Sequence, residues 1–239
     1  EGRSKVSPPP PLTLGSDISG VVEKVGVDAG NFREADAVYG VTNPQFCGAQ
    51  AEYAVVFAAM VAPKPRRLND VEAASVPVVA VTAWQMLFDY ANARAGQSVM
   101  ILGAGGNVGS YALQLANRAK LRVIAVNGPQ DWTPDPVDIV LDMVGGETRE
   151  RAFGVVKPGG ILVSVVAPGD SPARPDVRSA FFYVDVTTAR LETITELLEN
   201  GELTPQVGTV LPLEQVRTAH EMLAGAPHKR GKIVLQIRD

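Results

Sequence analysis

The amino-acid sequence predicts an α/β protein that combines a doubly wound parallel sheet with a smaller β-rich unit. Two observations support this fold class. The chain changes at about residue 77 from short β-branched runs to longer apolar runs that alternate with a helical pattern, and a glycine-rich turn joins one of those runs to a helix. The length of 239 residues suits one large domain or two small ones.

The first unit is predicted over residues 1–77. Glycine and proline punctuate this region, and short β-branched runs lie at 18–25 and 52–57. Short strands between turn signals are typical of a compact β-rich unit.

Two helices are predicted next. Asn69 or Asp70 can cap a short helix that runs through Ala74, and residues 79–93 form a longer, mostly apolar helix. Pro77 separates the two helices.

The doubly wound sheet is predicted from five apolar runs. The first is continuous, as expected for a parallel strand that is covered on both faces. Apolar residues at spacings of three and four then follow the first run and indicate an amphipathic helix over 108–119. The five strand candidates are 98–103, 121–126, 137–143, 161–166 and 181–186.

The carboxyl-terminal region alternates helices with a final strand. Leucine and isoleucine spacing over 191–198 predicts a helix that Gly201 ends, and Pro212 opens another helix that Gly225 ends. The run 232–237 predicts a terminal strand that returns to the first unit.

One connection is too short for the predicted topology. Ten residues separate Val126 from Val137, and three of them are prolines. A parallel crossover needs a dozen or more residues, usually with a helix, and these prolines oppose one. We therefore expect the domain to lack a helix and a strand between about Gly128 and Asp131.

Composition excludes several classes of protein. A net charge of −4 without a dense Lys/Arg run disfavours nucleic-acid and anionic-membrane partners. Cys47 is the sole cysteine and His220 and His228 are the two histidines, which excludes an internal disulfide and a thiolate-rich zinc site. No apolar stretch reaches the roughly 18 residues of a membrane span. The amino terminus lacks the apolar region of a signal peptide, so the sequence predicts a cytoplasmic protein.

The most specific local motif is the turn from Gly103 to Gly109. Its pattern Ala104-x-Gly106-x-x-Gly109 is the dinucleotide fingerprint with alanine at the first position. Small residues there allow a tight turn, a close approach of a pyrophosphate to the backbone and close packing of helix on strand. The predicted strand and helix on either side favour a dinucleotide site over a plain turn.

The end of the second strand bears on the choice of cofactor. An acidic residue there would accept hydrogen bonds from the adenine ribose and repel a 2′-phosphate. The sequence has Asn127 followed by Gly128 instead, which favours NADP(H). An ordinary turn role for Asn127 is equally open.

Together these residues resemble the zinc-free quinone oxidoreductase branch of the medium-chain dehydrogenase/reductase superfamily, the zeta-crystallin-like group. Several separate motifs support the resemblance across nearly the whole chain. They are 14–26, 51–53, 81–84, 103–110, 137–146 and 230–235.

The resemblance implies a GroES-like catalytic domain over 1–77 and 209–239 and a Rossmann NADP(H)-binding domain over 78–208. It further implies that the catalytic domain lacks the family's opening strands. Those strands form one wall of the substrate cleft, so no residue of this chain is assigned to that wall. A homodimer through the edge segment 181–186 fits both the resemblance and the alternation of apolar residues there.

The motif Gly15-Ser16-Asp17 has a mechanistic implication. Zinc alcohol dehydrogenases of the superfamily have Gly-His-Glu here, and serine is a poor zinc ligand. The resemblance thus implies metal-free hydride delivery from NADPH to a quinone or an α,β-unsaturated carbonyl. The catalytic residues remain unknown, because Tyr39 and Tyr53 are better explained as packed structural tyrosines.

The resemblance also assigns cofactor contacts. It places the pyrophosphate at four turn residues, the adenine ribose at Asn127, and the nicotinamide near residues that follow later strands or lie on a facing helix. Asn107 and Lys229 depart from the family pattern, so their contacts are expected through the backbone. The assigned residues are Thr82, Gly105, Gly106, Asn107, Val108, Asn127, Met143, Val144, Val166, Ala167, Ala180, Phe182, His228, Lys229 and Arg230.

Two other functions stay open on the sequence. The first is a non-catalytic NADP(H)-binding redox sensor or partner module, and the second is a zinc alcohol dehydrogenase. Among the remaining candidates, His220 is expected on a solvated helix surface and Cys47 as a semi-buried, unreactive thiol. For His228, a solvated loop residue and a cofactor contact are about equally supported.

Overall fold

A computed structural model describes residues 9, 11–128, 135–166 and 174–237. Its contacts divide the chain into two compact units. The first contains Glu1–Val78 with Val186–Asp239, and the second contains Val79–Asp185.

The strands are numbered in chain order. They are β1 (Asp17–Val21), β2 (Ala37–Val41), β3 (Val61–Pro63), β4 (Ser98–Leu102), β5 (Arg122–Val126), β6 (Val137–Asp142), β7 (Val156–Ser164), β8 (Arg178–Phe181), β9 (Val207–Pro212) and β10 (Lys232–Gln236).

The α-helices are α1 (Asp70–Ala74), α2 (Pro77–Trp84), α3 (Asn107–Arg118), α4 (Gly146–Gly154), α5 (Thr188–Glu199) and α6 (Val216–Leu223). None of the helices in the described ranges has the length and the hydropathy needed to cross a lipid bilayer.

The first unit is built on an antiparallel sheet in the order β1-β2-β3 and a parallel pair of β9 and β10. Tyr39 lies fully buried on the central strand β2, and its hydroxyl donates to the Leu191 carbonyl at 2.9 Å. The terminal strand belongs to this unit, as predicted, and the Lys232 ammonium lies 3.2 Å from the Asp17 carboxylate.

The predicted start of the first helix is confirmed, whereas the second begins at Pro77 rather than at 79 and the helix predicted to open at Pro212 begins at Val216 after a short 3-10 turn. Asn69 caps α1 through a capping box with Glu72, with N···O distances of 2.9 and 3.0 Å. Pro77 does more than separate two helices, because it is the first residue of α2. The helix continues as a π-helical turn over Gln85–Tyr90.

The predicted strand at 52–57 is wrong. This segment joins no sheet within the described ranges, although the Phe57 N–H donates to the Thr42 carbonyl. Tyr53, Val55 and Phe57 are exposed. The alternation of apolar residues indicated a strand, but a strand also needs a neighbour for its backbone groups.

Residues 186–208 group with the first unit, whereas the sequence placed them in the second domain. The reason lies in side-chain bonds from α5. The Thr188 hydroxyl donates to the carbonyls of Ala58 and Val61, and the Tyr39 hydroxyl bonds to Thr195 at 2.9 Å.

The second unit confirms the predicted doubly wound sheet. Five parallel strands follow the order β5-β4-β6-β7-β8, and all five residues of β4 are buried. Chain order reverses direction at β4, whose neighbours β5 and β6 lie on opposite sides. Met100, Val140 and Leu162 on successive strands contribute to the core.

Three details of this unit differ from the prediction. β7 begins at Val156 rather than at 161. The strand predicted over 181–186 is wrong except at its first residue, because β8 spans Arg178–Phe181, where Phe181 pairs with Ser164 at the end of β7. Burial still alternates beyond β8, with Phe182 buried and Tyr183 exposed. The mostly polar helix α4 gave no periodic signal.

β5 lies at one edge of the sheet. Within the described ranges no strand pairs with its outer side, and Arg122 and Ala125 are exposed. The predicted absence of a crossover falls partly on residues 129–134, which lie outside the described ranges.

Candidate functional site

The candidate site lies at the carboxyl edge of the parallel sheet. Because the five strands run in the same direction, the turns that follow them meet at one edge. The reversal in strand order at β4 falls beside the glycine-rich turn, and open α/β sheets bind ligands at such a point.

The glycine-rich turn joins β4 to α3 in the way the motif requires. A Cβ atom on Gly109 would lie 2.1 Å from the Gly103 carbonyl oxygen, so only glycine fits. Gly106 precedes α3 with an extended backbone and supplies no side chain to cap the helix. The first N–H groups of α3 and its positive dipole end can therefore receive a phosphate.

Asn127 holds this turn from the end of β5. Its side-chain oxygen accepts a hydrogen bond from the Gly105 N–H. The other side-chain atom is an amide nitrogen, which can only donate hydrogen bonds. The turn role that the sequence left open for Asn127 is therefore present, and its contact with a cofactor stays a prediction.

The turn after β6 packs closely on the glycine-rich turn, and the turn after β7 packs on the turn after β6. A Cβ atom on Gly103 would lie 3.1 Å from Val144, and one on Gly145 would lie 3.1 Å from Val166. Val144 and Val166 are about half exposed, at 49% and 48%. Glycine thus alternates with valine across the three turns, which form one continuous surface.

A buried carboxylate underlies this surface. Asp142 is fully buried, and its Oδ1 atom accepts from the N–H groups of Val144 at 3.0 Å and Gly145 at 2.8 Å. Its Oδ2 atom accepts from the Ser164 hydroxyl at 2.7 Å and lies 3.7 Å from Arg149 Nε. Asp142 was not predicted as a site residue, although its position is visible in the sequence as an acidic residue that ends an apolar strand before Gly-Gly.

Other predicted contacts of this unit occupy varied environments. Ala180 on β8 pairs with Val163. The Phe182 ring stacks on Tyr90 with centroids 4.2 Å apart, so the ring is part of the core packing. Thr82 is buried in α2. Cofactor roles for Ala180, Phe182 and Thr82 stay predictions.

Of four further predicted contacts, three lie in the first unit and one is outside the described residues. His228, Lys229 and Arg230 are exposed in the first unit, just before β10. The Lys229 N–H donates to the Thr209 hydroxyl at 3.2 Å. Ala167 lies outside the described residues. The roles of these four residues stay predictions.

The Gly15-Ser16-Asp17 motif does not fit a zinc ion. The Ser16 hydroxyl donates to Asp17 at 3.0 Å, and the Asp17 carboxylate also accepts from the Val78 N–H at 2.8 Å. The Lys232 ammonium pairs with the same carboxylate. Within the described ranges, no three His, Cys, Asp or Glu side chains are grouped to hold a metal.

The candidate proton donors differ from each other. Burial raises the pKa of Tyr39 well above its ordinary value, although the hydrogen bond with Thr195 acts in the opposite direction. Tyr39 is therefore the packed structural tyrosine that was predicted. Tyr53 is 60% exposed, so its predicted packing is wrong.

His220 and Cys47 are both half-buried. His220 lies 3.2 Å from the Gln50 side-chain oxygen rather than on a solvated surface, because α6 packs against the loop that contains Gln50. The Cys47 thiol is 3.8 Å from the Asn43 side-chain oxygen, in the semi-buried setting predicted for it.

Two known families match the chain. Residues 1–66 match the alcohol dehydrogenase GroES-like domain. Residues 112–235, more than half of the chain, match the family described as zinc-binding dehydrogenase.

Curated relatives align with most of the chain. NAD(P)H oxidoreductase RTN4IP1, mitochondrial, from Bos taurus is 30% identical over 95% of this chain and 71% of its own length. Quinone oxidoreductase from Mus musculus is 26% identical over 98% of this chain and 82% of its own. 2-Methylene-furan-3-one reductase from Solanum lycopersicum is 33% identical over 86% of this chain and 58% of its own.

The fold is also that of solved structures. An alcohol dehydrogenase superfamily protein from Novosphingobium aromaticivorans has a TM-score of 0.88 at 28% identity, covering 97% of this chain and 84% of that one. The quinone oxidoreductase from Coxiella burnetii has a TM-score of 0.85 at 28% identity, covering 96% and 80%.

The alignment with the Bos taurus protein extends over 283 positions, more than the 239 residues of this whole chain. That relative therefore contains residues within the aligned region that have no counterpart here.

Proposed function

The chain belongs to the medium-chain dehydrogenase/reductase superfamily, and from this premise we propose that it is a zinc-independent oxidoreductase that uses NADPH to reduce a quinone or an α,β-unsaturated carbonyl. The relatives named quinone oxidoreductase and 2-methylene-furan-3-one reductase support these two acceptor classes.

One observation supports the cofactor above all others. The glycine-rich turn opens α3 at the reversal of strand order, and Asn127 fixes its backbone through Gly105. This arrangement suits a pyrophosphate, whose charge the α3 N–H groups and dipole stabilise. Asn127 after β5 would then border the adenosine half, and the residues after β6 and β7 would border the nicotinamide half.

The preference for NADPH follows from Asn127. A carboxylate at this position would repel the 2′-phosphate, whereas a side-chain amide can donate a hydrogen bond to it. The same residue holds the turn, so one side chain contributes to both binding and specificity.

The proposed chemistry needs no metal. Quinones and enones are already electrophilic, so they accept hydride without a Lewis acid, and Ser16 with Asp17 forms a hydrogen-bonded pair instead of a zinc site.

When bound, NADPH supplies the hydride, and the residues of this chain supply position. The α3 N–H groups hold the phosphates, and the half-exposed Val144 and Val166 form an apolar border that limits water beside the nicotinamide. The bound cofactor would supply one hydride and solvent would supply one proton, which together convert an enone into its saturated carbonyl compound or a quinone into its hydroquinone.

We further propose that the acceptor is a small molecule and that two copies pair through the β8 edge. β8 is the outermost strand on its side of the described sheet, and the exposed Tyr183 follows it. The expectations that the protein binds neither nucleic acid nor membrane, and that it is cytoplasmic, stay predictions.

The proposal is tested by the loss of NADPH absorbance with a panel of quinones and enones. We expect acceptor-dependent oxidation. A matched pair of variants locates the site: Gly106→Asp places a carboxylate before α3, at a position where aspartate is a good cap, and Gly154→Asp adds the same charge in open space at the end of α4.

We expect Gly106→Asp to weaken NADPH binding by about tenfold or more and Gly154→Asp to leave it unchanged. Binding without oxidation across the panel would favour the redox sensor instead. Equal effects of the two variants would contradict the site.

A further inference from the structure

We propose that Asp142 is a positioning residue that sets the nicotinamide end of the cofactor site while leaving the adenosine end unaffected. This inference rests on the proposed function. It assigns to a fully buried side chain a role that it exerts through the turns to which it bonds.

The carboxylate organises the turn after its own strand. Oδ1 accepts from two consecutive N–H groups, those of Val144 and Gly145, at 3.0 and 2.8 Å. Two such bonds define the direction of the turn, and Gly145 adopts a φ of +78° that other residues disfavour. The exposed Val144 side chain is thereby directed onto Gly103 of the glycine-rich turn.

The same carboxylate organises the next turn through Ser164. The Ser164 hydroxyl donates to Oδ2 of Asp142 at 2.7 Å, and its oxygen accepts from the Val166 N–H at 3.3 Å. The Val165 N–H also donates to the Asp142 main-chain carbonyl at 3.2 Å. One buried group therefore fixes both turns that border the nicotinamide.

Arg149 makes the arrangement depend on charge. Its Nε atom lies 3.7 Å from Oδ2, and its side chain is 12% exposed. A neutral residue in place of Asp142 would leave this buried cation without its anion. Asparagine could also place an amide N–H group at the position of Oδ2, which now accepts the hydrogen bond from the Ser164 hydroxyl.

β6 provides a matched control at its opposite end. Asp138 also pairs with a serine, Ser98, and with a basic side chain, Lys157. It lies near the amino end of the strand, away from the three turns of the site. Asp138→Asn and Ser98→Ala therefore repeat the chemistry of Asp142→Asn and Ser164→Ala without touching the site.

The experiment compares two ligands, NADPH and 2′-phospho-ADP-ribose, which lacks nicotinamide. We expect Asp142→Asn to raise the Kd of NADPH by about tenfold and that of 2′-phospho-ADP-ribose by less than about twofold. Asp138→Asn should leave the ratio of the two Kd values unchanged. A loss of stability alone would change both Kd values together.

An unchanged ratio in Asp142→Asn would overturn the inference and leave the proposed function intact. If that variant does not fold, Ser164→Ala provides the test, with an expected rise of about threefold in the ratio against none for Ser98→Ala. A wild-type protein that binds neither ligand would overturn the proposed function and this role with it.

Discussion

Asn127 is the residue at which structure and cofactor choice are most tightly linked. Its side-chain oxygen bonds to Gly105, so the side chain has a fixed orientation beside the glycine-rich turn. The amide nitrogen is a hydrogen-bond donor. Such a donor suits the 2′-phosphate of NADPH better than it suits the two ribose hydroxyls of NADH.

Changing Asn127 to Asp should shift the preference from NADPH toward NADH. The carboxylate can still accept from Gly105, but it repels a 2′-phosphate, so we expect the ratio of kcat/KM values to change by about tenfold or more. Asn117→Asp is the control, since it adds the same charge at the exposed far end of α3. A ratio that changes equally in both variants would contradict this role.

Single residues were predictable where one local motif determines them. Gly109 follows from the fingerprint, because its role depends on Gly103 in the same turn. The bond of Asn127 to Gly105 joins two turns and was one of two alternatives that the sequence left open. Asp142 was missed although its place before Gly-Gly is visible in the sequence, because its bonds to Ser164 and Arg149 form only when the sheet and the helix fold.

At the scale of elements, Asp138 near the start of β6 bonds to residues near the starts of β4 and β7. Ser98 at the start of β4 donates to this carboxylate through its N–H and its hydroxyl, at 2.7 and 2.6 Å, and Lys157 on β7 lies 2.9 Å away. Burial raises the pKa of Asp138, but the bonds from Ser98 and Lys157 outweigh burial and lower the pKa to about 2.

The Asp138 carboxylate should therefore make stability depend on acid. Because its folded pKa lies below the ordinary value of 3.8, its contribution is complete above about pH 4 and is lost as the pH falls through about 2. Solvent screening limits the contribution to about 1 kcal/mol. Urea unfolding at about pH 5 and about pH 2 measures it.

Between about pH 5 and about pH 2, the free energy of unfolding of Asp138→Asn should fall by about 1 kcal/mol less than that of the wild type. An equal loss in the two proteins would show that the carboxylate does not join these strands energetically.

Elements were predictable where capping or continuous burial marks them. The capping box of Asn69 with Glu72 determines the start of α1, and unbroken burial marks β4. The segment 52–57 has the alternation of a strand but joins no sheet in the described ranges. The position of β8 depends on where β7 ends, which is a tertiary property.

At the scale of the whole molecule, the two units and their folds were predictable from the change in pattern near residue 77. The residue at which the chain returns to the first unit was not predictable. The bonds of Tyr39 and Thr188, far apart in sequence from their α5 and β3 partners, assign residues 186–208 to the first unit.

The sheet order also bears on the short connection after β5. A doubly wound dinucleotide-binding sheet places its third strand outside the second, and β5 is the second strand of this sheet. The 283-position alignment with the Bos taurus relative shows that such proteins have additional residues within the aligned region. The missing strand and helix remain a prediction for this position.

The proposed metal-free transfer of hydride from a nicotinamide to an electrophilic acceptor can be followed with an isotope. The experiment uses NADPH that carries deuterium at the transferred position of C4, an α,β-unsaturated ketone, and protein dialysed against a chelator. We expect a saturated ketone with one deuterium at its β carbon and a turnover that the chelator leaves unchanged. A product without deuterium, or turnover that appears only when zinc is added back, would contradict it.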